Sequence, residues 1–395
     1  MTNTLCEHFG RCGGCTYLDI PYEEELAIKE KHLAECLGEY GHLLSGITPA
    51  PLPAGYRNKM ELAFGDEGKD GQLALGMRKK RSFYEVATPS NCVLISDDFK
   101  KIIMCVLEYF RTSGETFFHR KRHVGSLRHL VLRRGEFTGE ILLNLSTSSG
   151  LATPLPPLVD GLLALPLDGK IVGVLHSIND GVADAVKNDD TRILWGRDYY
   201  NEEICGLKFK VGAFSFFQTN SSGAEVLYEL VRKYVSAGSR GEGVSSVAYD
   251  LYCGTGTITQ IIAPDFTRVT GIELSEEAIR AAKDNATLNG ITNCEFFAGD
   301  VLVEIDNLRD QGKSLDVVVV DPPRDGLHPK ALAKIAALAP GRLVYVACKP
   351  ASLARDMALL AEAGYHPQKI EGVDMFPRTP HVEAIALLRR HASYM

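Results

Sequence analysis

Residues 246–273 decide the fold, and they read SVAYDLYCGTGTITQIIAPDFTRVTGIE. An apolar run leads into a Gly-rich turn, a helical stretch follows, and a second apolar run ends at Glu273. Two later apolar runs, LDVVVVDPP at 315–323 and GRLVYVAC at 341–348, continue the alternation with helical stretches. This pattern predicts βαβ units and a parallel sheet covered on both faces. In such sheets ligands bind beyond the carboxyl ends of the strands.

The turn after the first strand has the residues of a nucleoside site. Asp250 comes near the strand end, and Gly254 and Gly256 let the backbone approach a ligand closely. Glu273 ends the next strand, where an acid accepts both hydroxyls of a ribose, and Asp300 follows the strand after that, near an expected adenine. A generic strand–turn–helix would share the glycines, but acids at successive strand ends favour a nucleoside. The full G-x-G-x-x-G is absent, which disfavours NAD and fits S-adenosylmethionine (SAM), because SAM has no pyrophosphate.

A second group of residues carries the chemistry. Residues 321–324, DPPR, follow a buried strand, and the two prolines fix a rigid exit that in SAM-dependent methyltransferases holds the target base. Cys348 ends the next strand, and Lys349 beside it is expected to lower its pKa. Such a cysteine is more often a small buried hydrophobe, but its place beside the donor site favours catalysis. Glu383 opens a later strand, and His381 is interpreted as structural.

These motifs resemble those of the RNA uracil-5-methyltransferases, which make 5-methyluridine in tRNA and ribosomal RNA. The matching strings occur in the family's order and spacing: FSFFQTN, DLYCGTGTI, GIELS, DPPRDGL, VACKPASLARD and FPRTPHVEAIALL. With the N-terminal cysteines, the resemblance covers about residues 6–388. It implies an α/β fold with a Rossmann-like SAM-dependent methyltransferase domain, an N-terminal cysteine cluster and a mixed α/β central RNA-binding domain.

The resemblance also assigns roles to residues. Cys348 is the nucleophile that adds to carbon 6 of uracil, and Glu383 is the base that removes the carbon 5 proton. The expected SAM contacts are Gln218, Tyr252, Thr257, Glu273, Asp300 and Asp321. The chain departs from the family where Ala347 and Lys349 replace a common Ser and Asn beside the nucleophile. It departs again where Thr257 replaces an Asn of some members.

Four of the ten cysteines form a candidate metal site. Cys6, Cys12 and Cys15 are spaced C-x5-C-G-G-C, and Cys92 is the natural fourth ligand. Four thiolates suit either tetrahedral zinc or a four-iron cluster, and spacing alone does not decide between them. The family resemblance favours a 4Fe-4S cluster that clips the N-terminal residues to Cys92. A radical-SAM enzyme is disfavoured, because its usual spacing is C-x3-C-x2-C. The remaining cysteines are interpreted as packing residues: Cys36, Cys105, Cys205, Cys253 and Cys294.

Charge is unevenly distributed along the chain. Residues 77–134 carry thirteen Lys or Arg and five Asp or Glu, whereas the whole chain has a net charge of −7. Such a segment predicts one surface for a polyanion. One basic run is usually solvated charge, but the runs at 77–81 and 119–134 lie in one region with four aromatics. These are Phe83, Tyr84, Phe117 and Phe118. Together they favour RNA, with cations on phosphates and rings on unpaired bases.

The expected organisation has four parts. They are a cysteine-rich iron-sulfur segment at 1–17, a helical segment at 18–50 packing on the catalytic domain, a central RNA-binding domain at 51–212 and a methyltransferase domain at 213–395. At 395 residues, with 45% hydrophobic and 24% charged residues, the chain is not disordered. It has no signal peptide or apolar run of membrane-spanning length, so a cytoplasmic location is expected.

The expected substrate is structured RNA, with 23S rRNA favoured over the T-loop of tRNA. A cysteine cluster without an N-terminal TRAM barrel most resembles the ribosomal-RNA enzymes of the family. Two alternatives stay open at this point. One is a base methyltransferase acting on cytosine or adenine. The other is a non-catalytic RNA-binding protein with a metal–cysteine module, against which the intact Cys348 and Glu383 argue.

Overall fold

A computed structural model of the chain describes residues 6–68, 71–119, 121–181, 190–236, 246–309 and 315–390. The chain forms two compact units. Unit 1 consists of Met1–Ile20, Leu52–Glu203 and Lys210–Ser221. Unit 2 consists of Pro21–Pro51, Ile204–Phe209 and Ser222–Met395.

The helices and strands are numbered along the chain. The helices are α1 (Tyr22–Leu37), α2 (Asp97–Ser113), α3 (Pro156–Leu163), α4 (Ser221–Ser236), α5 (Thr257–Ile262), α6 (Glu276–Leu288), α7 (Val301–Arg309), α8 (Pro329–Ala337) and α9 (Pro350–Glu362). The strands are β1 (Leu44–Thr48), β2 (Lys59–Asp66), β3 (Leu73–Arg78), β4 (Val86–Ala87), β5 (Leu127–Arg134), β6 (Glu140–Thr147), β7 (Lys170–Ile178), β8 (Asp190–Gly196), β9 (Tyr199–Ile204), β10 (Leu207–Gly212), β11 (Val247–Leu251), β12 (Arg268–Glu273), β13 (Cys294–Ala298), β14 (Val317–Val320), β15 (Arg342–Ala347), β16 (Tyr365–Val373) and β17 (Glu383–Arg390).

Unit 2 is built on the predicted parallel sheet. Its strand order is β1-β16-β17-β15-β14-β11-β12-β13, and the strands from β15 to β13 pair in parallel. Val317, Val318, Val319 and Val320 have no exposed surface, as expected of a strand covered on both faces. The α/β fold inferred from the alternating apolar runs is therefore confirmed.

The strand order creates a crevice in unit 2. From β11 the chain runs outward through β12 and β13, and it then returns to β14 on the other side of β11. The order reverses between β11 and β14, and this is the point where open α/β sheets bind their ligands. β17 pairs antiparallel with β15 and β16, so it enters the sheet in the opposite direction.

Unit 1 is mixed α/β. Its main sheet has the order β4-β3-β2-β5-β6-β7-β8, in which only β6 and β7 pair in parallel. Strands β5 and β6 pair as an antiparallel hairpin that turns just after Arg134. Helix α2 packs its apolar face on this sheet, and the hydroxyl of its N-cap Ser96 accepts from the Phe99 N–H. Within the described ranges, no helix is long and apolar enough to cross a membrane.

The two glycines of the turn after β11 differ in their surroundings, which gives a matched test of the fold. Both have positive φ, +54° at Gly254 and +73° at Gly256. A Cβ on Gly254 would meet no atom within 4 Å, whereas a Cβ on Gly256 would lie 2.6 Å from Phe296 Cε1 and 2.9 Å from Ala282 Cβ.

We expect Gly254→Ala to lower the free energy of unfolding by about 1–2 kcal/mol, the cost of a left-handed backbone. Gly256→Ala should lower it by roughly a further 1–3 kcal/mol, because the methyl group overpacks the Phe296–Ala282 contact. Urea unfolding of both variants measures the difference. Equal losses would contradict the packing role given to Gly256.

Candidate active site

The strand ends of unit 2 gather the predicted functional residues along one edge of the sheet, called here the site edge. Parallel strands β13, β12, β11, β14 and β15 all end there, and the antiparallel β17 begins there. Neighbouring strands lie about 4.8 Å apart. In sheet order the site edge carries Asp300, Glu273, Tyr252, Asp321, Cys348 and Glu383. Residues far apart in sequence are thus brought into one row.

Cys348 and Glu383 are opposed across β15 and β17. The antiparallel register pairs Ala347 with Ala384, so the next step of the same register sets Cys348 against Glu383. Directly opposed residues point to the same face and lie within about 4.5–5.5 Å at their Cβ atoms. Cys348 is half-buried and Glu383 is 4% exposed. A thiol and a carboxyl group therefore share one side of the site edge.

The surroundings keep both groups protonated near neutral pH. Burial, together with the charge of Asp321, raises the pKa of Glu383 to about 8. Burial also raises the pKa of the Cys348 thiol to about 11, with Glu383 and Asp321 adding to the shift. Asp321 keeps a partly exposed edge but is deeply set, and burial raises its pKa to about 7.

Arg324 supplies the positive charge of this group. Its charge lowers the pKa of both Cys348 and Glu383, and so partly offsets burial. The sequence interpretation assigned that role to Lys349, which lies exposed just before α9. The pKa of the Cys348 thiol is raised, and the cation that opposes this rise is Arg324. Arg324 belongs to the DPPRDGL motif, but the sequence interpretation assigned it no function. The feature that points to such a function is a cation placed just after the two prolines that follow a buried strand.

The turn after β11 presents backbone and acidic groups to the site edge. Tyr252 has φ +67°, which turns the chain sharply into the glycines. The Glu273 carboxylate accepts from the Gly254 N–H at 3.3 Å and from the Ser275 N–H at 3.0 Å. The charges of Asp300 and Glu273 both raise the pKa of Tyr252, after burial, so these groups face one space.

Two of the predicted SAM contacts, Thr257 and Asp300, serve the structure as well. Thr257 is the first residue of α5 and is 7% exposed. The Asp300 side chain accepts from the Leu302 N–H at 2.8 Å at the start of α7. Asp250 is fully buried within β11 and accepts from Thr259 Oγ1 at 2.6 Å, so it supports the interior of the turn rather than the site edge.

Gln218, the remaining predicted SAM contact, belongs to unit 1. It lies half-buried in the segment FSFFQTN after β10, and its carbonyl accepts from Asn58 Nδ2 at 3.1 Å. Arg133 is 1% exposed and donates to the carbonyls of Ala213 and Ser215 in the same segment. The segment is thus held in place within unit 1, and Gln218 stays a predicted contact.

The four candidate metal ligands line one cavity of unit 1. Cys6, Cys12 and Cys15 reach it from the N-terminal segment, and Cys92 reaches it from the loop before α2. The N-terminal segment is held by a hydrogen bond of 3.0 Å between the His8 ring and the Thr88 carbonyl, and by further backbone hydrogen bonds. Most of the remaining lining is apolar, formed by Phe9, Leu18, Met60, Met77, Ala87, Pro89 and Leu94.

The sulfur atoms of this cavity influence each other. Burial raises the pKa of Cys92, the backbone N–H groups of Leu94 and Ile95 lower it, and the charges of Cys6 and Cys12 raise it. Burial likewise raises the pKa of Cys12, and Cys6 adds to that shift. Among the residues that the structure describes, no three His, Cys, Asp or Glu side chains are grouped to hold a metal ion. The cysteines therefore share a cavity without converging on one ion.

The basic segment of unit 1 divides into buried and exposed cations. Arg128 and Arg133 are 2% and 1% exposed, so they belong to the interior of the sheet and not to a solvent-facing run. Arg111 pairs with Glu67 at 2.8 Å. Position 120 lies outside the described residues. Exposed cations remain at Lys80, Arg81, Lys121 and Arg122.

The aromatic side chains join the two exposed basic stretches. Tyr84 stacks on His119, with ring centroids 4.4 Å apart and planes 23° apart. Phe83, next to Tyr84, is 75% exposed. We call Lys80, Arg81, Phe83, Tyr84, His119, Lys121 and Arg122 the basic–aromatic surface.

The buried Asp250 predicts a specific pH dependence of stability. Burial raises its pKa to about 7, with Asp321 and Glu273 adding and Thr259 opposing. An unfolded Asp loses its proton near ~3.9. The stability that the neutral carboxyl provides is therefore complete below about pH 4 and is lost as the pH rises to about 7.

We expect Asp250→Asn, which cannot ionise, to gain stability relative to wild type over that pH interval, on the order of 2–4 kcal/mol, and no more above it. Thermal unfolding from pH 4.5 to 8.5 measures the difference. The exposed Asp284→Asn on α6 is the control and should follow wild type. Parallel pH curves for Asp250→Asn and wild type would contradict the buried, protonated carboxyl.

Comparison with known proteins identifies the family. The family model described as tRNA (uracil-5-)-methyltransferase matches residues 185–391. The chain is 44% identical to an uncharacterised RNA methyltransferase of Clostridium tetani over 388 residues, which is 98% of this chain and 83% of that protein. It is 43% identical to another of Caldanaerobacter subterraneus subsp. tengcongensis, over 98% of this chain and 84% of that one.

A solved structure agrees. The Pyrococcus abyssi tRNA (uracil-54, C5)-methyltransferase, in complex with S-adenosyl-L-homocysteine, is 29% identical with a TM-score of 0.77, covering 96% of this chain and 85% of its own. The fold, the ordered motifs and these matches agree with one another. The chain is an RNA methyltransferase and belongs to the tRNA (uracil-5-)-methyltransferase family.

Proposed function

We propose that this protein transfers a methyl group from SAM to carbon 5 of a uridine in structured RNA. The observation that carries the proposal is the cross-strand opposition of Cys348 and Glu383 at the site edge. A thiol and a carboxyl in that relation suit addition to a ring followed by proton removal from the neighbouring carbon. An adenine methyltransferase needs no such thiol, so that alternative gives Cys348 no role.

The methyl donor fits the turn between β11 and α5. We assign Glu273 to the ribose hydroxyls, Asp300 and Tyr252 to the adenine end, and Asp321 to the end near the thiol. Thr257 and Gln218 are the further contacts that the family resemblance implies. The support is the order of these groups along the site edge and the S-adenosyl-L-homocysteine bound by the P. abyssi neighbour. The donor supplies an electrophilic methyl group there.

The thiol opens the reaction. The half-buried Cys348 thiol gives its proton to solvent, and its sulfur bonds to carbon 6 of uracil, which places the ring's electron pair at carbon 5 as an enolate. Carbon 5 then bonds to the methyl carbon of SAM, the bond between that carbon and the donor sulfur breaks, and S-adenosylhomocysteine leaves. Arg324 favours the thiolate by its charge, because its charge lowers the pKa of Cys348.

The carboxylate closes the reaction. Glu383 removes the proton from carbon 5, the electron pair restores the carbon 5–carbon 6 double bond, and the Cys348 sulfur leaves. With a pKa of about 8, Glu383 is a strong enough base for this proton once it is ionised. Cys348 and Glu383 thus act in succession on one covalent adduct.

RNA binding is assigned to the basic–aromatic surface of unit 1. Lys80, Arg81, Lys121 and Arg122 are available to phosphates, and the exposed Phe83 ring offers a face for an unpaired base. The target uridine must leave its stack to be modified, so a loop is a cheaper substrate than a duplex. The family resemblance favours 23S rRNA, whereas the P. abyssi neighbour is titled for uracil 54 of tRNA.

We further propose that Cys6, Cys12, Cys15 and Cys92 hold a 4Fe-4S cluster. The cysteines come from two stretches of chain to one largely apolar cavity, and cluster ligands stand farther apart than the ligands of one zinc ion. Arg57 lines the same cavity, and its charge suits a cluster with four thiolates. The cluster would clip the N-terminal segment to the loop before α2 and take no part in methyl transfer.

The reaction is tested by anaerobic incubation with tritiated-methyl SAM and either tRNA or 23S rRNA from a strain lacking the gene, followed by mass spectrometry of the nucleosides. We expect 5-methyluridine in one RNA pool. Cys348→Ala should abolish it, and Glu383→Gln should reduce it at least ~100-fold, since general-base losses are commonly of that size. Cys36→Ala, a partly exposed cysteine on α1, should keep full activity.

Each other outcome of this experiment contradicts the proposal. A different methylated nucleoside, or activity that survives in Cys348→Ala, would exclude the thiol mechanism. Bound SAM without methylation of either pool would favour the non-catalytic RNA-binding protein. A methylated cytosine would select the related carbon 5 chemistry on that base.

The cluster is tested by metal analysis of anaerobically purified protein. We expect about four irons and matching acid-labile sulfide per chain. Cys92→Ser should lose most of both, whereas Cys105→Ser, a free thiol of α2 outside the cavity, should keep them. About one zinc per chain without sulfide would contradict the iron-sulfur assignment.

A further inference from the structure

Helix α1 buries a pair of opposite charges. Glu25 and Lys29 lie one turn apart, are 0% and 1% exposed, and are joined at 2.8 Å. The buried positions of this helix are Glu25, Lys29, Leu33 and Leu37.

Both charges hold the segment between β16 and β17. Lys29 Nζ lies 2.7 Å from Asp374 Oδ1 and donates to the Phe376 carbonyl at 3.1 Å. Glu25 Oε1 accepts from the Arg378 N–H at 2.6 Å, where φ is +69°. The segment is thus fixed at three successive points by one turn of α1.

Asp374 is held from a second side. It is fully buried, and its Oδ2 accepts from the Tyr22 hydroxyl at 2.8 Å. That hydroxyl in turn accepts from the Ala50 N–H at 2.9 Å. We call Tyr22, Glu25, Lys29 and Asp374 the α1 clamp. Each of its polar groups is directed at residues 374–378 or at another member of the clamp.

The clamped segment leads directly into Glu383. β16 ends at Val373 and β17 begins at Glu383, so residues 374–382 alone separate the clamp from the proposed base. The charges of Arg324 and Lys29 both reach His381 in this segment. The α1 clamp therefore lies close to the start of β17, where Glu383 joins the site edge.

Stability does not account for the α1 clamp. Replacing a buried ion cluster by apolar residues of similar volume is often neutral or stabilising, because desolvation of the charges offsets their attraction. An apolar contact would attach α1 to the sheet equally well. An apolar contact would not, however, fix carbonyls, N–H groups and a positive-φ residue at defined points. Directional hydrogen bonds do fix them.

We infer that Glu25, Lys29 and Asp374 are positioning residues for Glu383, and that the α1 clamp serves the proton-removal half of the reaction. The inference rests on the proposed function. Addition of the Cys348 sulfur to carbon 6 depends on the end of β15, which the clamp does not touch. Removal of the carbon 5 proton and release of the sulfur depend on Glu383. Loosening the clamp should therefore slow the second half and leave the first half intact.

The test compares a neutral clamp with a matched surface change. Glu25→Gln/Lys29→Met/Asp374→Asn removes the three fully buried charges while roughly keeping shape. Arg378, which pairs with Glu25 at 3.4 Å, has a side chain that is 17% exposed and stays in contact with solvent. The control is Glu35→Gln/Lys31→Met, which removes an exposed ion pair of the same helix. Steady-state formation of 5-methyluridine at varied RNA concentration gives kcat and KM, and single-turnover reactions are followed by covalent protein–RNA adduct on denaturing gels.

We expect the neutral clamp to lower kcat on the order of 10-fold or more, with KM for RNA within about twofold of wild type. The covalent adduct should accumulate, as it should in Glu383→Gln. The control variant should match wild type in all three measurements. Wild-type kcat and no adduct in a folded neutral clamp would overturn the inference.

Two further variants make the result decisive. If the triple variant does not fold, Asp374→Asn alone replaces it, since Lys29 then keeps Glu25 as its partner, and the same two outcomes apply. Glu383→Gln distinguishes a failure of the proposed mechanism from a failure of the role given to the α1 clamp. If it forms no adduct, the proposed mechanism fails, whereas an adduct in Glu383→Gln with none in the clamp variant refutes the clamp alone.

Discussion

The whole site depends on one antiparallel strand within an otherwise parallel neighbourhood. A parallel strand brings only its last residues to the ligand-binding edge of a sheet. Because β17 runs the other way beside β15, its first residue arrives at that edge, and Glu383 comes to stand against Cys348. Reversal of the strand order at β11 and β14 places the glycine turn and Asp321 next to this pair. The proposed donor site, nucleophile and base are thus ordered by strand pairing.

Burial at this edge then sets the chemistry. Burial raises the pKa values of Asp321, Cys348 and Glu383, and the charge of Asp321 adds to the rise at Cys348 and Glu383. Arg324 alone is seen to oppose the shift at both Cys348 and Glu383. The resting site is accordingly close to neutral, with its protons still in place. In the proposed reaction the thiol gives up its proton when the ring accepts the sulfur, and Glu383 takes the carbon 5 proton once it is ionised.

The parallel sheet and the residues at its site edge were predictable from the sequence. Strands buried on both faces appear as apolar runs such as Val317–Val320, and the motif residues follow those runs directly. The rest was not predictable, for physical reasons. Lys29 and Glu25 have the helical spacing of a surface ion pair, and their burial depends on a segment far along the chain, in which Asp374 contacts Lys29 from 345 residues away and the Arg378 N–H donates to Glu25. Arg133 is part of a basic run in the sequence, yet its buried side chain donates a hydrogen bond to the Ala213 carbonyl. Lys349 is adjacent to the thiol in sequence, whereas the cation that acts on it is Arg324.

The central claim is that Cys348 forms a bond to carbon 6 and that proton removal from carbon 5 breaks it. The most direct measurement replaces the target uridine by 5-fluorouridine in an RNA that the enzyme methylates, and then digests the denatured product for mass spectrometry. A base cannot remove fluorine from carbon 5 as it removes a proton. The account predicts a stable, methylated RNA adduct on the peptide containing Cys348, dependent on SAM and absent from Cys348→Ala. An unmodified Cys348 peptide, or an adduct on another cysteine such as Cys253, would contradict it.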